Sequence, residues 1–325
     1  MNINTPLTET IGASDDKPMY DDICKKILSN KMILAWIMKE CVTEYRNIEV
    51  EEIAYKYIEG EPLRSAINVI TNETAKTPTI QGTNTAEEGL GSGNILYDIR
   101  YRAIAPSEDG LIELLINVEA QNQYSPGYPL TKRGIYYCSS MIAGQYGKEF
   151  VKSNYKAIKK VYSIWICRDV PKTFENSITS YHLTETNHVG NFKAKRANYD
   201  LISIVMVYLG KAKEEQHSSL LKLLNTLLSE EVKATEKMEC LSNEFGVPAT
   251  ETLESEVQLM CNLSHGIEAR GIEKGIEKGI EKGIVKMIAK MVNNLKLSIE
   301  EAMAVAEIPL SERDKYASAI KKLME

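Results

Sequence analysis

Residues 94–123 constrain this chain more than any other stretch. They read NILYDIRYRA, IAPSEDG and LIELLINVEAQNQ. Two apolar-rich runs flank a Pro, Ser, Asp and Gly cluster, the pattern of a β-hairpin. In the first run Ile95, Tyr97, Ile99 and Tyr101 alternate with Asp98, Arg100 and Arg102. The second run is mostly apolar through Ile116. It then alternates, with Val118 and Ala120 on one face and Asn117, Glu119, Gln121 and Gln123 on the other. With residues 106–111 as the loop, Asp98 stands opposite Glu119. Directly opposed residues have Cβ atoms roughly 4.5–5.5 Å apart. Two carboxylates that close have two explanations. One is a hard divalent cation, since Mg²⁺ is held by one or two carboxylates plus waters and substrate phosphates. The other is a solvated sheet face with Arg100 and Arg102 as partners.

The remaining composition narrows the chemistry. At 325 residues the chain suits one large domain with appendages, or two domains. A net charge of -6 argues against nonspecific coating of nucleic acid but allows a local basic cleft. Cys24, Cys41, Cys138, Cys167, Cys240 and Cys261 form no CxxC pair and read as reduced, mostly buried thiols of a cytoplasmic protein. His182, His188, His217 and His265 lack zinc-ligand spacing. The polar first residues do not resemble a signal peptide, and no apolar run approaches the roughly 20 residues of a membrane span. Residues 1–17 are expected to be a disordered leader.

Residues 20–60 have helical periodicity, with Asp21 or Asp22 as a cap, an interruption at Asn30 and Lys31, and a further helix over 50–58. Glu40 and Glu44 read as a solvated helix edge. A short strand is expected at 66–70 and a long loop at 71–93. Residues 130–150 form a helix with Ile135, Tyr136, Cys138, Ser139, Ile142 and Ala143 as its buried stripe. Lys132 and Arg133 in its first turn oppose the helix dipole and suit a phosphate. Lys148, Lys152, Lys156, Lys159 and Lys160 make the densest basic segment, read equally well as a nucleic-acid grip or a solvated face. Residues 161–167, 178–184 and 201–209 are strands, the first of them central. The order predicts an α/β fold with mixed pairing.

Residues 212–265 look helical, with Leu220, Leu221, Leu223, Leu224, Leu227 and Leu228 in one stripe. A repeat follows: Gly271, Gly275, Gly279 and Gly283 recur every four residues, as do Ile272, Ile276, Ile280 and Ile284. Each helical Gly costs roughly 0.8–1 kcal/mol against Ala, so a stable lone helix is not expected. Pairing with a second copy and a linker role stay equally open. The tail should be helical, with Ser298 and Glu301 as a capping box and Pro309 and Ser311 opening the last helix.

A strand with Asp98, a strand with Glu119-Ala120-Gln121, a helix with Arg133 and Tyr137 and the VYSIWIC strand together resemble the PD-(D/E)XK nuclease superfamily. The similarity is greatest to its recombination-promoting nuclease and putative-transposase branch, which also carries Gly-rich repeats before a helical tail. The resemblance implies a restriction-endonuclease-like core, a mixed central sheet flanked by helices, with an all-helical C-terminal extension. It divides the chain into a leader (1–17), a nuclease-like domain (18–212), a helical extension (213–265), a repeat helix or linker (266–285) and a helical tail (286–325). It implies a Mg²⁺-dependent DNA endonuclease, Mn²⁺ substituting, with the metal on Asp98, Glu119 and the Ala120 carbonyl. Gln121 stands where the superfamily usually has Lys, and Lys132 or Arg133 would then supply charge. Lys132, Arg133, Lys152, Lys156 and Lys159 would contact the DNA backbone, and the C-terminal helices would join copies. The alternative it leaves is a nuclease fold without chemistry, serving as a DNA-binding or protein-interaction module.

Overall fold

A computed structural model describes residues 16–58, 63–64, 86–88, 94–96, 98–107, 110–121, 124–215 and 217–324. In chain order the elements are α1 (Asp16–Leu28), α2 (Lys31–Cys41), α3 (Val50–Glu52), β1 (Leu63–Arg64), β2 (Ala86–Glu88), β3 (Asn94–Leu96), β4 (Ile99–Ser107), β5 (Gly110–Gln121), α4 (Leu130–Ala143), β6 (Lys160–Cys167), β7 (Ser177–His182), β8 (Ile202–Tyr208), α5 (Ser219–Leu228), α6 (Ala234–Phe245), α7 (Glu251–Leu295), α8 (Ile299–Val305) and α9 (Leu310–Met324). The chain divides into two compact units, residues 1–263 and 264–325.

The first unit is α/β. Six strands form one mixed sheet in the order β1-β4-β5-β6-β8-β7. β5, β6 and β8 run parallel, while β4 and β7 pair antiparallel at either side of them. β6 is the VYSIWIC strand with Lys160 added, and every residue of it is buried. A continuous apolar run is what a strand covered on both faces requires. On one face Trp165 and Val161 pack with Leu115, Ile204 and Met206 beneath Tyr137, Cys138 and Met141 of α4. On the other face Ile166 shares a small cavity with Cys24 of α1 and Leu228 of α5. The six leucines of α5 are all buried, and the helical extension expected over 213–265 lies in the same compact unit as the sheet as far as residue 263.

The hairpin differs from expectation at both ends. β4 continues through Pro106 to Ser107, which pairs with Gly110. The turn is therefore tighter than a 106–111 loop, but it is centred on the same point and the register is unchanged. At the other end the run from residue 94 is not one strand. β3 pairs with β2 in a separate two-stranded sheet, β2 falling inside the expected 71–93 loop, and the chain bends at Asp98 before β4 begins. The expected strand at 66–70, the rest of that loop and residues 1–15 of the leader lie outside the described residues.

Other expectations are corrected. Asp21 and Asp22 lie within α1, not at its cap, because the helix already starts at Asp16. Asn30 does interrupt the first helical stretch, capping α2 by accepting from Met32 N at 3.0 Å. α4 ends at Ala143, and its buried face is Leu130, Gly134, Tyr137, Cys138 and Met141. Ile135 and Tyr136 are exposed. Gly134 sets that face: a Cβ there would lie 2.7 Å from Ile204 Cγ2 and 3.2 Å from Trp165 Nε1.

In the second unit the Gly repeat is helical throughout, as part of α7. Ile288, Ala289, Ala302, Met303, Tyr316 and Ile320 form the core that α7, α8 and α9 share here. Ser298 and Glu301 make the capping box, and α9 opens at Leu310.

Two glycines test this packing in opposite directions. Gly134→Ala overpacks a stiff β-branched neighbour and is expected to destabilise the first unit by about 1–3 kcal/mol. Gly279 has no atom near its missing Cβ, so Gly279→Ala should gain the helix-propensity difference of about 0.8–1 kcal/mol. Urea titrations of both variants measure the signs. Stabilisation by Gly134→Ala would contradict the packing of α4 on the sheet.

Candidate active site

The site forms where β4 ends before its partner does. β5 continues three residues past Val118, the partner of Ile99, so the ladder on its β4 side has no further strand to use. Side chains continue it. Asp98 N donates to Glu119 Oε1 at 3.1 Å, and Ala120 N donates to Asp98 Oδ2 at 3.0 Å. Asp98 is thus tied to β5 twice, its N–H to the Glu119 carboxylate and its own carboxylate to the Ala120 N–H, and the expected opposition holds although Asp98 lies in a bend.

Glu119 is held from below as well. Asn117, two residues earlier on the same face, donates Nδ2 to Glu119 Oε1 at 2.9 Å. Among the described residues, Asn117 Oδ1 is buried without a hydrogen-bond partner. Glu119 itself is only 4% exposed. Burial, and after it the Asp98 charge, push the Glu119 carboxyl well above its ordinary 4.5, against the hydrogen bond from Asp98 and the Arg133 charge. The pair therefore carries more negative charge than its surroundings readily support.

Two cations approach from opposite faces of the sheet. Arg133, on α4, donates to Tyr137 OH at 2.6 Å and Tyr128 OH at 3.1 Å. Its guanidinium lies 5.3 Å from the Trp165 ring centre. From α1, Lys25 Nζ stands 2.8 Å from Asp98 Oδ1. Burial works against the Lys25 charge, but Asp98 outweighs it and raises the ammonium above its ordinary value. Lys25, Asp98, Ala120, Gln121, Asp21 and Arg168 line one cavity of about 80 Å³. Gln121, the last residue of β5, also lines this cavity.

The basic segment does not. Lys159 precedes β6, whose first residue pairs with Leu114. Glu119 is five residues further along β5, about 17 Å away at 3.3 Å per residue. Lys159 pairs there with Glu113 and Glu149, and Lys156 lines a cleft at the same end. Lys152 is exposed with φ 53° in the same connection. The reason is topological: a parallel strand must begin at the end where its neighbour began, so the chain after α4 returns to the far edge. Lys132 is exposed on α4. Of the five expected phosphate contacts, Arg133 alone is placed against the carboxylate pair.

Glu40 and Glu44 are not a solvated edge. Glu40 accepts from Ser218 Oγ at 2.8 Å at the start of α5. Glu44 accepts from Lys160 Nζ at 2.9 Å and Tyr162 OH at 2.6 Å, and the Lys160 charge helps hold it below the usual carboxylate range despite burial. Sequence reasoning missed Lys25 and Asn117. Asn117 left a signal, a polar residue inside the LLINV run. Lys25 left none, since only the packing of α1 brings it to Asp98.

The donor set fits a hard divalent cation. Among the described residues no three His, Cys, Asp or Glu converge, but Mg²⁺ needs only one or two carboxylates with oxygen donors and waters beside them. In an extended strand a residue's N–H and C=O point to the same side. The Ala120 N–H points at Asp98, so its carbonyl faces that side too. No family model, curated protein or solved structure matches the chain. Among the described residues no helix is long and apolar enough to cross a membrane.

A raised carboxyl binds its proton more tightly in the folded chain than in the unfolded one, so its contribution to stability is lost as pH rises from about 4.5 through the raised value. Glu119→Gln removes the charge and keeps an acceptor for Asp98 N and Asn117. Its melting temperature without divalent ions should exceed wild type by a margin that grows across that window. A margin that is constant or shrinks with pH would contradict the environment described for Glu119.

Proposed function

We propose that the chain is a Mg²⁺-dependent DNA endonuclease with a restriction-endonuclease-like core, of the recombination-promoting type in the PD-(D/E)XK superfamily. The observation that carries this is the pair of hydrogen bonds that ties Asp98 to Glu119 and to the Ala120 N–H at the end of a mixed sheet. Two acidic oxygens and a backbone carbonyl fixed on rigid strands suit phosphodiester hydrolysis, which depends on positioning and charge more than on covalent chemistry.

Asp98, Glu119 and the Ala120 carbonyl would hold the ion, Mg²⁺ or in its place Mn²⁺. When bound, it supplies Lewis-acid polarisation of the scissile phosphate and a water of lowered pKa. Asn117 fixes the Glu119 carboxyl in one orientation. Gln121 orients the attacking water by hydrogen bonding but, as an amide, is a poor base and carries no charge. Arg133, held by two tyrosine hydroxyls and stacked against Trp165, bears positive charge toward the pair from the α4 side. DNA is the partner in this proposal, acted on in the cytoplasm. Self-association belongs to the tail, where Ile272, Ile276 and Ile280 are each more than half exposed. Removing residues 264–325 should lower the oligomeric state in sizing experiments, and an unchanged state would refute it.

A second function has one observation in its favour. The Lys25–Asp98 ion pair occupies an oxygen that a metal needs, as it would in a nuclease fold that has become a DNA-binding or protein-interaction module.

Supercoiled-plasmid nicking decides between them. Wild type with Mg²⁺ should nick, and Asp98→Ala and Glu119→Ala should each lose about 10²- to 10³-fold, the scale of losing a transition-state charge contact. Equal nicking by all three proteins, or none by wild type, would sink the enzymatic proposal.

A further inference from the structure

We propose that Lys25 is the positioning cation of this site, taking the role left by the amide at position 121; the inference rests on the nuclease function proposed above. Three observations and one property of lysine lead to it. The Lys25 ammonium is 2.8 Å from Asp98 Oδ1, with both side chains about one-fifth exposed. Lys25 and Gln121 line the same cavity, which places a charge from α1 beside position 121. The site's other cations are committed. Arg133 is bound to Tyr128 and Tyr137, and Arg168 donates to Tyr20 OH at 2.7 Å and Glu230 at 2.9 Å. Finally, a lysine is a compact charge on a four-carbon stem with rotatable bonds. An ammonium that rests on Asp98 can turn within the cavity toward a phosphate oxygen once Asp98 is engaged by another cation. Arg133, pinned by its tyrosines, has no such freedom.

This gives Lys25 two effects on one oxygen. Without substrate and metal it neutralises Asp98 and competes for the position. With them it meets the negative charge that grows on the phosphoryl oxygens. A merely structural prop would instead hold Asp98 in place for the ion and would not meet the phosphate.

The test uses the full-length chain, supercoiled plasmid with MgCl₂, and separate calorimetric titration with Mg²⁺ alone. Lys25→Met keeps the aliphatic stem, and Lys25→Gln guards against a Met variant that fails to fold. Both should nick about 10²- to 10³-fold more slowly than wild type, while binding Mg²⁺ as tightly or more tightly, since the competing ammonium is gone. Gln121→Lys added to Lys25→Met should restore at least tenfold. If wild type nicks in an Asp98-dependent way and the Lys25 variants match it, this inference fails and the nuclease function stands. If the variants lose Mg²⁺ binding together with nicking, Lys25 is a prop for Asp98 and the inference also fails. Absence of rescue by Gln121→Lys would likewise overturn the shared role of positions 25 and 121. A wild type that does not nick overturns both proposals at once.

Discussion

Everything at the site depends on one pair of hydrogen bonds, Asp98 N to Glu119 Oε1 and Ala120 N to Asp98 Oδ2. A strand that outruns its partner leaves backbone groups unpaired, and buried unpaired groups cost about 1–3 kcal/mol each. Here the Asp98 carboxylate accepts the Ala120 N–H that a strand carbonyl would have taken. The same bond fixes the carboxylate beside Glu119. Fold and chemistry therefore share a residue: completing the sheet is what brings two acids together, and the repulsion between them is what invites a cation.

The sheet separates its charged clusters by length. At the end where β5 and β6 finish stand Asp98, Glu119, Lys25 and Arg133. At the end where they start, Arg102 and Lys159 each pair with both Glu113 and Glu149. Beside these, Lys160 bridges Glu44 and Asp200. The far cluster is balanced, each cation meeting two carboxylates, and it suits holding β4, β5 and β6 in register. The near cluster is not balanced, because Glu119 is buried beside the like charge of Asp98, while Lys25 pairs with Asp98 and Arg133 donates to tyrosine hydroxyls. That imbalance, more than the count of charges, sets the near end apart from the far one.

The register of the hairpin was legible in the sequence because alternation has period two, and a tighter turn about the same centre leaves every pairing in place. The central strand was legible because VYSIWIC admits no solvated face. The α4 stripe was misjudged by following Ile135 and Tyr136, which are apolar but exposed. Gly134, the residue that makes room for Trp165 and Ile204, was the better guide. Where the Lys152–Lys159 segment lies was not legible, because charge density says nothing about which end of a sheet a connection reaches. Lys25 was out of reach altogether: its contact spans seventy-three residues of chain, and no local pattern encodes it. Asn117 sat in plain view as an amide amid leucine, isoleucine and valine.

The central claim is that Asp98, Glu119 and the Ala120 carbonyl form a divalent-cation site. Crystals soaked in Mn²⁺ test it most directly, through the anomalous scattering of the ion. The account predicts an anomalous peak between the Asp98 and Glu119 carboxylates, at oxygen distances typical of a hard cation, with the Lys25 ammonium displaced from Asp98 Oδ1. An intact Lys25–Asp98 ion pair with no peak beside it would contradict the account.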